Sequence, residues 1–261
     1  MARHRERLWN TLMLLGRLLK FVGNCKLASL TDAVALQYCD HKLATVKLAT
    51  ASIELRSIRT AFNWAKQRPG KKYLYYNPFA QSGMIPRVEG QKIPLCLSPD
   101  EKAQFFAAID NVEHGRLFRF RLLTGCRRSE AVHLTWEDID LEQKQITFRK
   151  TKTKKDRTVP INLELMQVIL ALDQSSQKIF NYAPGSVSRL FNQYRKKAGL
   201  RKELHLHCLR HTAASDLVRQ GIHLTKIQKF LGHTNVKTTK IYTHVLPQDL
   251  REVAEALSCV G

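Results

Sequence analysis

Between residues 71 and 94 the chain reads KKYLYYNPFAQSGMIPRVEGQKIP, and this stretch argues against one core running through all 261 residues. Proline removes a backbone donor and fixes φ, and glycine offers no side chain to pack, so regular structure is punctuated repeatedly here. Basic and aromatic residues between these breaks suit a short helix or turn followed by a linker. The expected boundary falls near 85–95, dividing the chain into residues 1–90 and 91–261. Each part is long enough for a core of its own.

Before the linker the apolar spacing is helical. One helix is expected over 4–22 and a second over Leu30–Leu43, opening at Ser29 or Thr31 as a cap. A third over 50–67 carries Ile53, Ile58, Ala61, Phe62 and Ala65, with Arg56 and Arg59 between them, and Arg68-Pro69-Gly70 stops it. Beyond the linker, LSPDEKAQFFAAI (97–109) has a capping serine, a proline at the first helical position and two acids in the first turn. RLFRFRLLTGC continues as helix and breaks at Gly125, and RSEAVHLTWEDI (128–139) predicts another. QITFR (145–149) and RTVPI (157–161) read as two strands of a hairpin whose basic tip is TKTKKD. Helices are expected again at 163–173, 185–198, 207–220, 224–231 and near 235–242, with a short tail helix after Pro247. The fold class is therefore mainly α with a small β-sheet: a helical first domain and a second domain built around a hairpin.

Charge narrows the function. The formal net charge is +21. Residues 1–95 carry 16 basic against 5 acidic side chains, and residues 96–261 carry 27 against 17. The excess is shared by both parts rather than appended as a tail, so both are expected to face one polyanion, nucleic acid being the first choice and an anionic membrane surface the competing one. No apolar run approaches the roughly 20 residues that span a bilayer, and Arg17 and Lys20 interrupt the apolar segment 8–23. The six cysteines form no CxxC pair and suit buried reduced thiols, so a reducing, cytoplasmic setting is expected.

Several polar residues stand out: Arg127 after the Gly-Cys break, Lys152 on the hairpin tip, His207 and Arg210 three apart on one helical face, then His233 and Tyr242. Singly, each has an ordinary reading as a surface charge, a cap or a core aromatic. His205, His207, Cys208 and His211 cluster in HLHCLRH, but no second cysteine pair completes a zinc set, and structural histidines are the better reading. His244 reads as core or surface.

Together the segments are more telling. TGCRRSEAVHLTWEDI, TKTKKDRTVPI, HCLRHTAAS and LGHTNVKTTKIYTH resemble, in order and spacing, the signature boxes of the tyrosine recombinases, the phage-type integrases and Xer-type resolvases. TASIELRSIRTAFNWA (50–65) is similar to the last long helix of that family's core-binding domain. Thr151 stands where a glycine is frequent, Cys208 where Asp or Pro is usual, and the short start implies that a preceding arm-binding domain is missing. None of these departures removes a catalytic position.

The resemblance implies a catalytic set of Arg127, Lys152, His207, Arg210, His233 and Tyr242. Arg127 and Arg210 would grip the phosphate, since a guanidinium is a rigid fork of donors that stays charged. Tyr242 would attack to give a 3'-phosphotyrosyl intermediate, with His207 as proton acceptor, Lys152 as general acid and His233 as a phosphate donor. The bond energy stays in the covalent intermediate, so no cofactor, metal or ATP is expected. The implied function is site-specific recombination or integration for a mobile element, through a Holliday junction, by a homo-tetramer on paired sites that is a monomer when free. A type IB topoisomerase and a DNA-binding protein without catalysis are the alternatives. Arg56, Arg59, Lys154, Arg195, Lys196 and Lys197 are the candidate DNA contacts, in two units expected to close round the duplex.

Overall fold

A computed structural model describes residues 2–67, 74–88, 93–149, 156–233, 239, 241 and 242. The chain separates into two compact units, Met1–Gly90 and Gln91–Gly261.

The first unit packs three helices, α1 (Ala2–Val22), α2 (Asp32–Thr45) and α3 (Leu48–Gln67). The hydroxyl of Thr31, rather than Ser29, caps α2 by accepting from the Val34 N–H. Leu18, Tyr38, Leu55, Ile58 and Phe62 meet Phe79 and Met84 of the following segment in one apolar cluster. Inside it lies a buried carboxylate. Glu54 accepts from the Tyr38 hydroxyl at 2.7 Å and pairs with Lys42 at 2.8 Å and Arg17 at 3.1 Å. A buried charge held by this many donors ties the three helices to one register, because removing a partner would strand it.

The second unit begins with α4 (Pro99–Ala107), whose capping box is complete: Ser98 accepts from the Glu101 N–H, and Glu101 accepts from the Ser98 N–H. The expected continuation as helix is divided in two, because Asn111 caps a separate α5 (Val112–Thr124). Gly125, in the left-handed region at φ 56°, ends α5 as its sequence position predicts.

The expectation of one helix over 128–139 is corrected. α6 (Arg128–His133) is short and is followed by a 3-10 turn at Trp136–Asp138 and by β1 (Ile139–Asp140). The break comes from distant backbone: the Leu134 carbonyl accepts from the Ile179 N–H, and the Trp136 N–H donates to the Gln177 carbonyl. β1 joins β2 (Gln145–Phe148) and β3 (Arg157–Pro160) in an antiparallel sheet of order β1-β2-β3, with Ile146 opposite Val159. Ile146, Phe148 and Val159 point from the sheet into the main core, against Phe105, Phe118, Phe191 and Leu209. The remaining helices are α7 (Leu163–Leu170), α8 (Pro184–Lys197), α9 (Cys208–Arg219) and α10 (Leu224–Leu231). α5 and α9 pack together, as do α9 and α10, which brings the C-terminal end of α5 and the start of α9 to one place. The hairpin tip, the helix expected near 235–242 apart from three positions, and the tail helix lie outside the described residues.

Candidate active site

Two helix ends and one helix start make the site. Gly125 closes α5 and Gly232 closes α10, both left-handed, and each terminus leaves carbonyls without intrahelical partners. Arg210, in the first turn of α9, answers them: Nη1 donates to the Gly125 carbonyl and Nη2 to the Leu231 carbonyl, both at 2.6 Å. The guanidinium is 1% exposed and its pKa is lowered to about 9, first by burial and then by Arg127 and Arg157. Its orientation is set by backbone, before any ligand arrives.

Arg127 sits at the start of α6. It donates Nη2 to the Gly232 carbonyl at 3.1 Å and Nη1 to Glu130 at 2.6 Å, while its own N–H donates to the other Glu130 oxygen at 2.8 Å. Glu130 also takes a bond at 2.8 Å from Arg157, which donates a second one to the Phe230 carbonyl and stacks its guanidinium over Phe148. One buried carboxylate thus links the start of α6, the sheet strand that leads out of the hairpin tip, and the end of α10. Burial works against this charge, but Arg157 and Arg127 outweigh it and bring the Glu130 pKa down to about 2.

His233 follows Gly232 and shares a hydrogen bond at 2.9 Å between Nδ1 and the Thr239 hydroxyl. Burial and the neighbouring Arg210, Arg127 and Arg157 hold its pKa down at about 3, so it is neutral at pH 7. Tyr242 is 1% exposed, in an apolar cluster with Ala214, Val218, Ile227 and Leu231. Its hydroxyl is 2.6 Å from Nδ1 of His211. Burial raises the phenol pKa to about 12 although Arg210 pulls it down. His207 stands at the start of α9 with its ring edge-on to His211, centroids 4.7 Å apart at 84°. The protein packed around that ring, then His211 and Arg210, lower its pKa to about 3, although the residue keeps an exposed edge.

Of the six expected catalytic residues, Arg127 thus stands at the start of α6, His207 and Arg210 at the start of α9 and His233 just past the end of α10, while Tyr242 packs among residues of α9 and α10. Lys152 and Lys154 lie outside the described residues. Glu130 and Arg157 were not singled out from sequence. The RxxE spacing was the available signal for Glu130, since three residues after a helix start is where a side chain reaches back.

The six candidate DNA contacts divide. Arg56 and Arg59 line a cleft of about 520 Å³ together with Arg87, which the sequence reading did not name. Arg56 is anchored on the Ser52 hydroxyl, which in turn donates to the Pro86 carbonyl. Lys196 and Lys197 are exposed, with Lys197 paired to Asp110 at 2.6 Å. Arg195 is a correction. It is buried beside Tyr194 and Phe191 on the inner face of α8, and it donates to the Leu200 carbonyl at 3.1 Å, so it closes a helix end and does not face solvent. The clustered histidines are also occupied locally: Nδ1 of His205 lies 2.7 Å from the Cys208 sulfur.

Residues 96–249 match the model of the phage integrase family. The chain belongs to that family. Among curated relatives it is 29% identical over 219 residues to a tyrosine recombinase of Thermosipho africanus, covering 80% of this chain and 76% of the relative. It is 32% identical over 178 residues to tyrosine recombinase XerA of Saccharolobus solfataricus, covering 67% of this chain and 60% of that one. The fold is shared with a lambda integrase dimer bound to a core site, at a TM-score of 0.76 and 18% identity over 89% of both chains. The chain thus shares the fold of that integrase, and its similarity to the tyrosine recombinase relatives extends over two thirds or more of its length. No helix among the described residues is long and apolar enough to cross a membrane.

Proposed function

We propose that the protein is a site-specific recombinase that cuts and rejoins double-stranded DNA through a 3'-phosphotyrosyl intermediate. The observation that carries this reading is the shared mounting of Arg127 and Arg210. Two guanidiniums held by the carbonyls of Gly232, Gly125 and Leu231 form a preorganised donor set, and Tyr242 lies close enough for Arg210 to lower its phenol pKa against the effect of burial. Donors fixed in advance stabilise the charge that builds on phosphate oxygens without reorganising during the reaction.

In this reading Tyr242 attacks the phosphorus and Arg127, Arg210 and His233 hold its equatorial oxygens. His207, with its exposed edge, adds a further hydrogen-bond donor to the phosphate. Lys152 protonates the leaving 5' oxygen, as the family pattern implies. Rejoining to a second strand reverses these roles and needs neither ATP nor a metal. The cleft bearing Arg56, Arg59 and Arg87 and the exposed Lys196 and Lys197 suit phosphate contacts by both units. The XerA and lambda relatives are named as recombinases and integrases, and one solved relative is a lambda integrase tetramer bound to a Holliday junction. An equivalent tetramer on paired sites, forming only on DNA, is the assembly proposed for this chain.

The test uses a pool of nicked duplexes of randomised sequence, in which loss of a short 5' fragment traps the covalent intermediate. The wild-type chain is expected to form a denaturation-resistant adduct on a subset of the pool. Tyr242→Phe is expected to bind the same members and form none. Adduct at wild-type level from Tyr242→Phe would overturn the reading.

A further inference from the structure

The phenol of the reacting tyrosine makes its hydrogen bond to a histidine other than the one the family pattern marks as proton acceptor. The Tyr242 hydroxyl is 2.6 Å from Nδ1 of His211, a hydrogen-bond distance short enough for proton transfer, and the two rings are tilted at 49° with centroids 5.8 Å apart rather than stacked. His207 is one turn earlier on the same face of α9 and meets the edge of the His211 ring instead. The pairing is not local. It joins residues 31 apart and depends on α9 and α10 packing together, with Tyr242 seated among Ala214, Val218, Ile227 and Leu231.

We infer that His211 is a catalytic residue that takes the proton from Tyr242 as the phenol attacks phosphorus. This rests on the recombinase reading above. As the Tyr242 oxygen forms its bond to phosphorus, its proton passes to Nδ1 of His211. The bond from phosphorus to the 5' oxygen breaks with its electron pair on that oxygen, which takes its proton from the general acid. Rejoining returns the His211 proton to the phenol oxygen.

Both partners start neutral, so the proton moves only as the bond to phosphorus forms and the phenol oxygen loses its basicity. The charged and titratable groups around the pair are His205, His207, Arg210 and His233, with Cys96 on the side of Tyr242. Burial, then His205 and Arg210, lower the His211 pKa to about 4, so an acceptor nitrogen is free through the neutral range. Burial raises Tyr242 to about 12, so the phenol keeps its proton until something removes it. A neutral imidazole accepting on Nδ1 carries its own hydrogen on Nε2.

The test measures single-turnover adduct formation on pool members selected by the wild-type chain, between pH 6 and 9. The wild-type rate is expected to be flat, because His211 stays neutral throughout. His211→Gln keeps a hydrogen-bonding side chain but cannot take a proton. Its phenol must then ionise in bulk solvent, so its rate is expected to fall at least tenfold at pH 7 and to rise about tenfold per pH unit. His211→Ala is expected to recover partly with added imidazole. His207→Gln is expected to slow adduct formation without gaining that slope.

A flat profile for His211→Gln, or the slope appearing in His207→Gln instead, would overturn the assignment. So would faster cleavage by His211→Gln, which would mean that the bond holds the nucleophile back. Loss of folding is separated by DNA binding and by imidazole rescue, neither of which a collapsed site would retain. Tyr242→Phe abolishes the adduct whichever histidine is the base, so failure of the recombinase reading appears in that variant and failure of this assignment only in the pH profiles.

Discussion

Glu130→Gln isolates what the buried carboxylate contributes. The substitution preserves shape and hydrogen-bonding capacity but removes the one negative charge shared by Arg127 and Arg157. The Glu130 side chain is 4% exposed and that of Arg157 5%, so solvent screens little of the loss. The Glu130 pKa lies at about 2 against an ordinary 4.5. At about 1.4 kcal/mol for each pKa unit, that corresponds to about 3 kcal/mol of stability at neutral pH. Breaking one side of a buried ion pair carries a similar cost, roughly 3–5 kcal/mol. Because the folded pKa is the depressed one, this contribution is fully present above pH 4.5 and is lost as pH falls toward 2. The assay is urea unfolding followed at Trp136 in a background where Trp9 and Trp64 are Phe, so that only the second unit reports. The wild-type chain should exceed Glu130→Gln by about 3 kcal/mol at pH 7, and the gap should narrow steadily below pH 4.5. A gap under about 1 kcal/mol at pH 7, or one independent of pH, would refute the claim that the carboxylate holds the two arginines.

Three further substitutions probe the helix end that orients Arg210 and the basic run at the end of α8. At Gly125, φ is 56° and an added Cβ would come within 2.6 Å of Leu231 Cδ2, so Gly125→Ala combines backbone strain with overpacking. It should lower the stability of the second unit by about 2–4 kcal/mol in the same urea assay and weaken adduct formation through the carbonyl that orients Arg210. Arg195→Ala should cost about 1 kcal/mol of stability and leave the salt dependence of DNA binding unchanged, because its guanidinium closes the end of α8. Lys196→Ala should do the reverse, lowering the log–log salt slope by about 0.9 if it neutralises one phosphate.

What could be read along the chain was whatever rests on neighbours a few residues apart. The capping box at Ser98, the cap at Thr31 and the left-handed stops at Gly125 and Gly232 depend on side chains and φ angles within one turn, so their residue types announce them. The hairpin strands followed from alternation, and the order of the family's boxes was legible because it is a linear pattern. Residues 128–139 were misread because the backbone groups that end α6 pair with 177–179, a segment with no periodic link to them. Arg195 looked like part of a basic surface run, but the face of α8 that turns inward is set by where Phe191 and Tyr194 pack. The bridge from Arg127 through Glu130 to Arg157, and the bond from Tyr242 to His211, join residues from different elements. Spacing could nominate Arg127, Arg210 and Tyr242 for the site. Which groups hold them, and which histidine receives the phenol's hydrogen bond, is decided by packing α5, α9 and α10 against one another, because charge and hydrogen bonding act through space over a few ångströms and carry no record of sequence distance.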